Sequence, residues 1–222
     1  MQIDKNSVSA ENQLKESEYV SYINPEGKGR RIMFVGNSIT RHGVNLEIGW
    51  NNDFGMAASS VQNDYVHVLA EKMKEIYPDA VICVCQAALW EMHYETGGDV
   101  FDYFSKAREF KADTIVMRII ENCDYVSFKN ELFYNNYKLF INYLNSNDAQ
   151  IILTSGFWKH PGDSDIEAVA KEKGYDFVYL GDLGEDDAMK ATGLFEHTGV
   201  AGHPGDRGMR KIADRIFNKM KV

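Results

Sequence analysis

Five short apolar runs set the limits of what this chain can fold into: RIMFV (31–35), VICVC (81–85), TIVMRII (114–120), IILTS (151–155) and FVYL (177–180). They are rich in strand formers and continuously apolar rather than alternating, which suits strands covered on both faces. Segments of helical period lie between them. SSVQNDYVHVLAEKMKEIYP places Val61, Tyr65, Val68, Leu69 and Met73 on one stripe, and Pro78 closes it. FDYFSKAREF is a shorter helix, and KNELFYNNYKLFINYLN runs from about 129 to 145. DSDIEAVAKEKG opens acidic and stops at Gly174, as helix ends prefer. GDRGMRKIADRIFNKMKV turns Met209, Ile212, Ala213 and Ile216 inward. Strands alternating with helices join as a parallel sheet through right-handed crossovers.

The expected fold class is therefore α/β, a three-layer α/β/α sandwich on a parallel five-stranded sheet of the flavodoxin-like kind. In such folds, sites form beyond the carboxyl ends of the strands. Residues 1–29 are polar apart from YVSYI and read as an N-terminal extension, leaving 30–222 as the main domain. No stretch is long and apolar enough to span a bilayer. The expected location is cytoplasmic, or secreted or periplasmic if a signal peptide has been removed.

Charge narrows the partners. The net charge of −9, from 24 basic and 33 acidic side chains, argues against a nucleic-acid backbone as the main partner. Cys83, Cys85 and Cys123 are too few and too oddly spaced for a disulfide framework, and no histidine–cysteine cluster suggests a metal. No cofactor and no membrane contact are expected. The helix around 129–145 carries Phe133, Tyr134, Tyr137, Leu139, Phe140, Tyr143 and Leu144 over a wide arc, which leaves room for a homodimer.

The polar residues at strand ends are the candidates for chemistry. Ser38, in GNSITRHG, follows the glycine that ends the first strand. It reads equally well as a helix N-cap or as a nucleophile. His203 lies in GVAGHPGDRGM, a glycine-rich loop before the last helix, from which it could face Ser38 across the sheet. Asn122, in RIIENCD, is either a turn residue or an N–H donor to a developing oxyanion. Gly55, in NNDFGMAASS, is either a hinge or a backbone donor that a Cβ would crowd. Ser59 with Gln62, or Ser60 with Asn63, reads as helix capping.

Taken together, these blocks resemble the SGNH (GDSL-like) hydrolase superfamily over residues 31–219. GNSIT resembles its GDS block with asparagine for aspartate, which implies Ser38 as nucleophile. The second block maps to Gly55, and IENC matches the third block, GxND, through Asn122 alone. The resemblance thus implies an oxyanion hole of Ser38, Gly55 and Asn122. VAGH aligns with the fourth block, DxxH, keeping His203 but placing Val200 where the acid should be. Three groups could orient His203 instead: Glu196, which is favoured, Asp206, or the Val200 carbonyl. Asp206 is better suited to cap the last helix through the N–H of Met209.

What the resemblance implies is a serine esterase that removes a short acyl group, acetyl foremost, from a carbohydrate or other small ester. Arg118 and Glu121 flank Asn122, where they would pair, orient the loop, or let Arg118 meet a polar leaving group. Trp90 and Trp158 lie beyond strands and would offer aromatic faces to a substrate. The rival expectation is a non-catalytic binding protein for a carbohydrate or other small ligand on a degenerate esterase scaffold.

Overall fold

The computed structural model describes residues 14–221. In chain order they form β1 (Val20–Ile23), β2 (Arg31–Gly36), α1 (Tyr65–Ile76), β3 (Val81–Gln86), α2 (Ala88–Met92), α3 (Ser105–Glu109) and β4 (Thr114–Arg118). These are followed by α4 (Asn130–Leu144), β5 (Gln150–Thr154), α5 (Asp163–Lys173), β6 (Asp176–Val178), α6 (Thr198–Ala201) and α7 (Asp206–Phe217). The sheet order is β1-β3-β2-β4-β5-β6. From β3 across to β6 every pairing is parallel, in the flavodoxin order expected.

The sheet has six strands rather than five. YVSYI supplies the extra one, running antiparallel to β3 with Val20 opposite Cys85 and Ile23 opposite Ile82. The cause is an otherwise open edge: β3 is apolar and would present unpaired N–H and C=O groups to water. Val20 is fully buried there, and the Tyr22 ring packs 5.7 Å from that of Phe110. The supposed extension thus contributes an integral strand, while residues 1–13 lie outside the described part.

Each continuous apolar strand divides its side chains by parity between two cores. Ile32, Phe34, Ile82, Val84, Val116 and Ile152 face α1 and α7. Met33, Val35, Cys83, Cys85, Ile115, Met117, Ile151 and Leu153 face α2 to α5. Fully burying one such side chain contributes about 1.5–3 kcal/mol, so the double-sided runs are what anchor the sheet. On the second face, Trp90 of α2 stacks on Phe140 of α4 at 4.9 Å. Phe133, Tyr137, Phe140, Ile141 and Leu144 are buried, while Leu139 stays half exposed, so much of the broad aromatic arc covers α2 and the sheet.

Two helix starts differ from expectation. Asp64, not a serine, caps α1 by accepting the N–H of His67 at 2.8 Å. Asp206 does not cap α7, whose N-cap is Gly205. Its carboxylate instead accepts from the Ser59 N–H at 2.8 Å, the Ser59 hydroxyl at 2.6 Å and Asn63 Nδ2 at 3.1 Å. That contact ties α7 to the loop ahead of α1.

Candidate active site

The nucleophile candidate is lifted out of the sheet by local packing. At Gly36 an added Cβ would fall 1.7 Å from Thr40 Oγ1, so only glycine lets β2 leave the sheet this tightly. The N–H groups of Thr40 and Arg41 both donate to the Asn37 carbonyl at 2.9 Å, closing a turn with Ser38 at its crest. Because β3 and β4 flank β2 on opposite sides, this turn sits at the topological switch point of the sheet.

Ser38 and His203, 165 residues apart in sequence, meet there: Ser38 Oγ lies 2.8 Å from His203 Nε2. His203 Nδ1 lies 2.7 Å from the carbonyl oxygen of Gly199. A carbonyl can only accept, so Nδ1 carries the proton and donates. The lone pair of Nε2 therefore faces the Ser38 hydroxyl, which donates to it. Burial pushes the His203 pKa down to about 4, outweighing the upward pull of the Gly199 carbonyl. At neutral pH the imidazole is a neutral acceptor. Trp158, half-buried after β5, meets its ring edge-on at 5.1 Å and fills the space beside it.

The orienting group is thus a backbone carbonyl, and it differs from all three sequence candidates. Glu196 is exposed and makes no hydrogen bond to His203. Asp206 is committed to Ser59 and Asn63. The Val200 carbonyl is taken by the backbone N–H of His203 at 3.0 Å. The short turn α6 decides the matter: with His197 as its cap, accepting from the Val200 N–H at 3.3 Å, it aims the Gly199 carbonyl at the ring one residue before the expected one. Glu196→Gln is therefore expected to leave the His203 ring in place and the protein's stability within about 0.5 kcal/mol of wild type, as for other exposed positions. Chemical denaturation of both proteins checks it.

Gly55 is also reassigned. Its N–H donates to Asp64 Oδ2 at 3.2 Å, and a Cβ there would come 2.6 Å from the Ile39 carbonyl and 2.8 Å from Asp64 Cβ. The glycine is required for close packing under the Ser38 turn, and its N–H is not free to act as an oxyanion donor. Two donors remain at the crest. The Ser38 N–H has no acceptor among the described residues, and Asn122 lines the same cavity as Ser38 and His203.

Arg118 and Trp90 lie too deep to touch a substrate, since both are fully buried. Arg118 donates to Glu121 at 2.7 Å and also to Asn37 Oδ1. Asn37 Nδ2 bridges two carboxylates, Glu121 at 2.6 Å and Glu91 at 2.9 Å. Glu91, fully buried on α2, was missed by sequence reasoning, although an acid inside the apolar run ALWEM was a signal. It also accepts the Ile120 N–H at 2.5 Å and Asn122 Nδ2 at 2.6 Å. Its bond to Ile120 helps to turn the chain out of the sheet, which is why β4 ends at Arg118 and not at residue 120. Burial, followed by the nearby Glu121 charge, raises the Glu91 pKa to about 7. Burial also acts upward on Glu121, but the Arg118 guanidinium outweighs it and holds that carboxyl below its ordinary value.

The cavity over Ser38 measures about 320 Å³ and is walled by Ile48, Met56, Gln86, Met92, Asn122 and Val200. A second cavity of about 530 Å³ adjoins it through His42, Gln86, Ala88 and Met92. Its outer wall carries Glu18, Tyr19, Arg41, Asp53 and Leu89. Among the described residues no cluster of three or more acidic, histidine or cysteine side chains could hold a metal.

No family model matches the chain, and no curated protein matches it. Solved structures do. The chain is similar to the psychrotrophic esterase EstA from Pseudoalteromonas sp., in a structure inhibited by monoethylphosphonate, with TM-score 0.57 and 11% identity over 86% of this chain and 96% of that one. It is similar to a two-domain esterase, CEX, active on acetylated mannans, with TM-score 0.56 and 18% identity over 85% of this chain and 47% of that one. A putative lipolytic protein of the G-D-S-L family from Desulfitobacterium hafniense gives TM-score 0.54 and 13% identity over 86% of this chain and 99% of that one. At such identities the likeness is one of fold.

Proposed function

Starting from the fold of the SGNH (GDSL-like) hydrolases, we propose that this chain is a serine esterase that removes a short acyl group from a carbohydrate or similar small polar alcohol. The observation that carries the reading is the relay from Ser38 Oγ to His203 Nε2 at 2.8 Å and from Nδ1 to the Gly199 carbonyl at 2.7 Å. A neutral imidazole in a fixed tautomer, against a serine hydroxyl at a strand end, is the arrangement nucleophilic acyl transfer needs.

His203 takes the Ser38 proton as Oγ attacks the ester carbonyl. The tetrahedral oxyanion is met by the Ser38 N–H and by Asn122 Nδ2, each donor worth about 3 kcal/mol in the transition state. His203 then protonates the leaving alcohol, and water, activated by the same imidazole, releases the acid and restores Ser38. The Gly199 carbonyl holds the ring in register by accepting a hydrogen bond from Nδ1–H throughout. It supplies no negative charge to the imidazolium, so less stabilisation comes from this third member than from a carboxylate.

The two cavities suggest how an ester would divide. The smaller one, with Ile48, Met56 and Val200, suits a short acyl group. The adjoining one combines the aromatic Tyr19, the apolar Leu89 and the charged Glu18, Arg41 and Asp53. Such a mixed wall suits the polar edges and apolar faces of a sugar ring. Activity of the CEX neighbour on acetylated mannans makes acetylated polysaccharide a substrate to try.

Fluorophosphonate is expected to label Ser38 stoichiometrically in the wild type and not in His203→Ala, read by intact mass and peptide mapping. Para-nitrophenyl acetate should be hydrolysed by the same preparations in the same order. Absence of both labelling and turnover in the wild type would support a binding protein on this scaffold instead.

A further inference from the structure

We infer that Glu91 is the positioning residue that orients the Asn122 oxyanion donor, an inference that rests on the esterase reading above. Glu91 is a fully buried carboxyl that makes no ion pair among the described residues; the Arg118 guanidinium contacts Glu121 and Asn37 instead. Burying a carboxylate without a paired cation is costly. Its hydrogen-bond partners are three N–H donors, and all three belong to the chain around Ser38: Asn37 Nδ2 at 2.9 Å, the Ile120 backbone at 2.5 Å and Asn122 Nδ2 at 2.6 Å. One acid on α2 thus gathers the residue preceding the nucleophile and the strand end that carries the oxyanion donor.

The consequence for Asn122 is geometric. Above the pKa of about 7 to which burial raises it, Glu91 is ionised and only accepts, so it selects the amide rotamer that presents Nδ2; the flipped amide would set its oxygen against a carboxylate oxygen. One Nδ2 hydrogen is held by Glu91. The other is left for the cavity that Asn122 shares with Ser38 and His203. Without that constraint, either end of the amide can face the oxyanion, and its oxygen would repel the charge the site must stabilise.

Glu91→Gln is the direct test. The glutamine carbonyl can satisfy Asn37 and Ile120 together, which leaves its NH₂ against Asn122 Nδ2 and favours the flip. At pH 8, where Glu91 is ionised, the expected result is a fall in kcat of about 100-fold with KM little changed, matched in size by Asn122→Ala. The double variant Glu91→Gln/Asn122→Ala is expected to fall no further than either single variant, because both remove one donor. Losses that add, or a kcat that survives Glu91→Gln, would overturn the inference.

A measurement on the wild type decides the matter if the variant does not fold. The Asn122 side-chain amide hydrogens, assigned by their disappearance in Asn122→Ala, are expected to give two well-separated, slowly exchanging resonances. An averaged, solvent-like pair would overturn the inference. Failure of the esterase reading is a separate result: wild-type protein that neither turns over ester nor takes fluorophosphonate.

Discussion

Ser38→Ala is expected to lower the hydrolysis of para-nitrophenyl acetate by about 10⁴-fold or more while leaving the protein folded. The hydroxyl is the atom that would form the acyl-enzyme, and its protein partner is His203 Nε2. Ser38 is only half-buried at the crest of its turn, so loss of one oxygen costs little packing. The turn itself is held by the Asn37 carbonyl and by the close contact of Thr40 with Gly36, neither of which needs the hydroxyl. Thermal unfolding should therefore be nearly unchanged, and fluorophosphonate uptake should vanish. Wild-type turnover surviving in the purified variant would end the assignment.

The same assay carries a pH signature. With its pKa pushed down to about 4 by burial, His203 remains unprotonated through mildly acidic pH. The acid limb of kcat/KM attributable to His203 is expected near pH 4, below the ordinary histidine value of about 6.5. The stability effect has the corresponding sign. Between those two values the unfolded chain binds a proton that the folded chain excludes, so this residue's contribution to stability is present above about 6.5 and lost as pH falls toward 4.

Asn37→Asp is expected to destabilise the protein by about 3 kcal/mol or more, read as a lowered denaturation midpoint at neutral pH. This substitution would turn GNS into the GDS sequence that the block resembles, yet the neighbourhood forbids it. Asn37 Nδ2 donates to both Glu91 and Glu121, and its Oδ1 accepts from Arg118. An aspartate would remove the shared donor and place a third buried carboxylate beside two others with one guanidinium among them. Its pKa in the folded state would rise above the unfolded value of about 3.9. The folded variant would then bind a proton that the unfolded chain has released, so its deficit should shrink as pH falls through the raised pKa and grow above it. A variant as stable as wild type at pH 8 would show that the bridging amide is not what keeps these acids together.

The differences from the sequence blocks the chain resembles acquire physical reasons only in this setting. Asparagine at position 37 belongs with a glutamate at 91 on α2, next to Trp90, the residue of that helix that the sequence singles out. Val200, which aligns with the acid of the DxxH block that VAGH resembles, is buried with Trp50, Met56 and Ala57, under the loops that wall the site. A charge there would lose that packing, and a backbone carbonyl takes over the task.

The chain's own residues determined the sandwich: doubly apolar runs can only be covered from both sides, and the helices between them force parallel pairing. They also determined that a serine and an asparagine would stand at carboxyl ends of strands, because position along an element follows from local pattern. Tertiary structure alone decided which atoms meet. YVSYI became an edge strand because β3 was open, Gly55 turned its N–H to Asp64, Arg118 and Trp90 sank into the interior, and Gly199 rather than Glu196 reached His203. Those outcomes depend on the direction of single bonds within loops, and no periodicity encodes them; they follow from which donors and acceptors remain once the layers have closed.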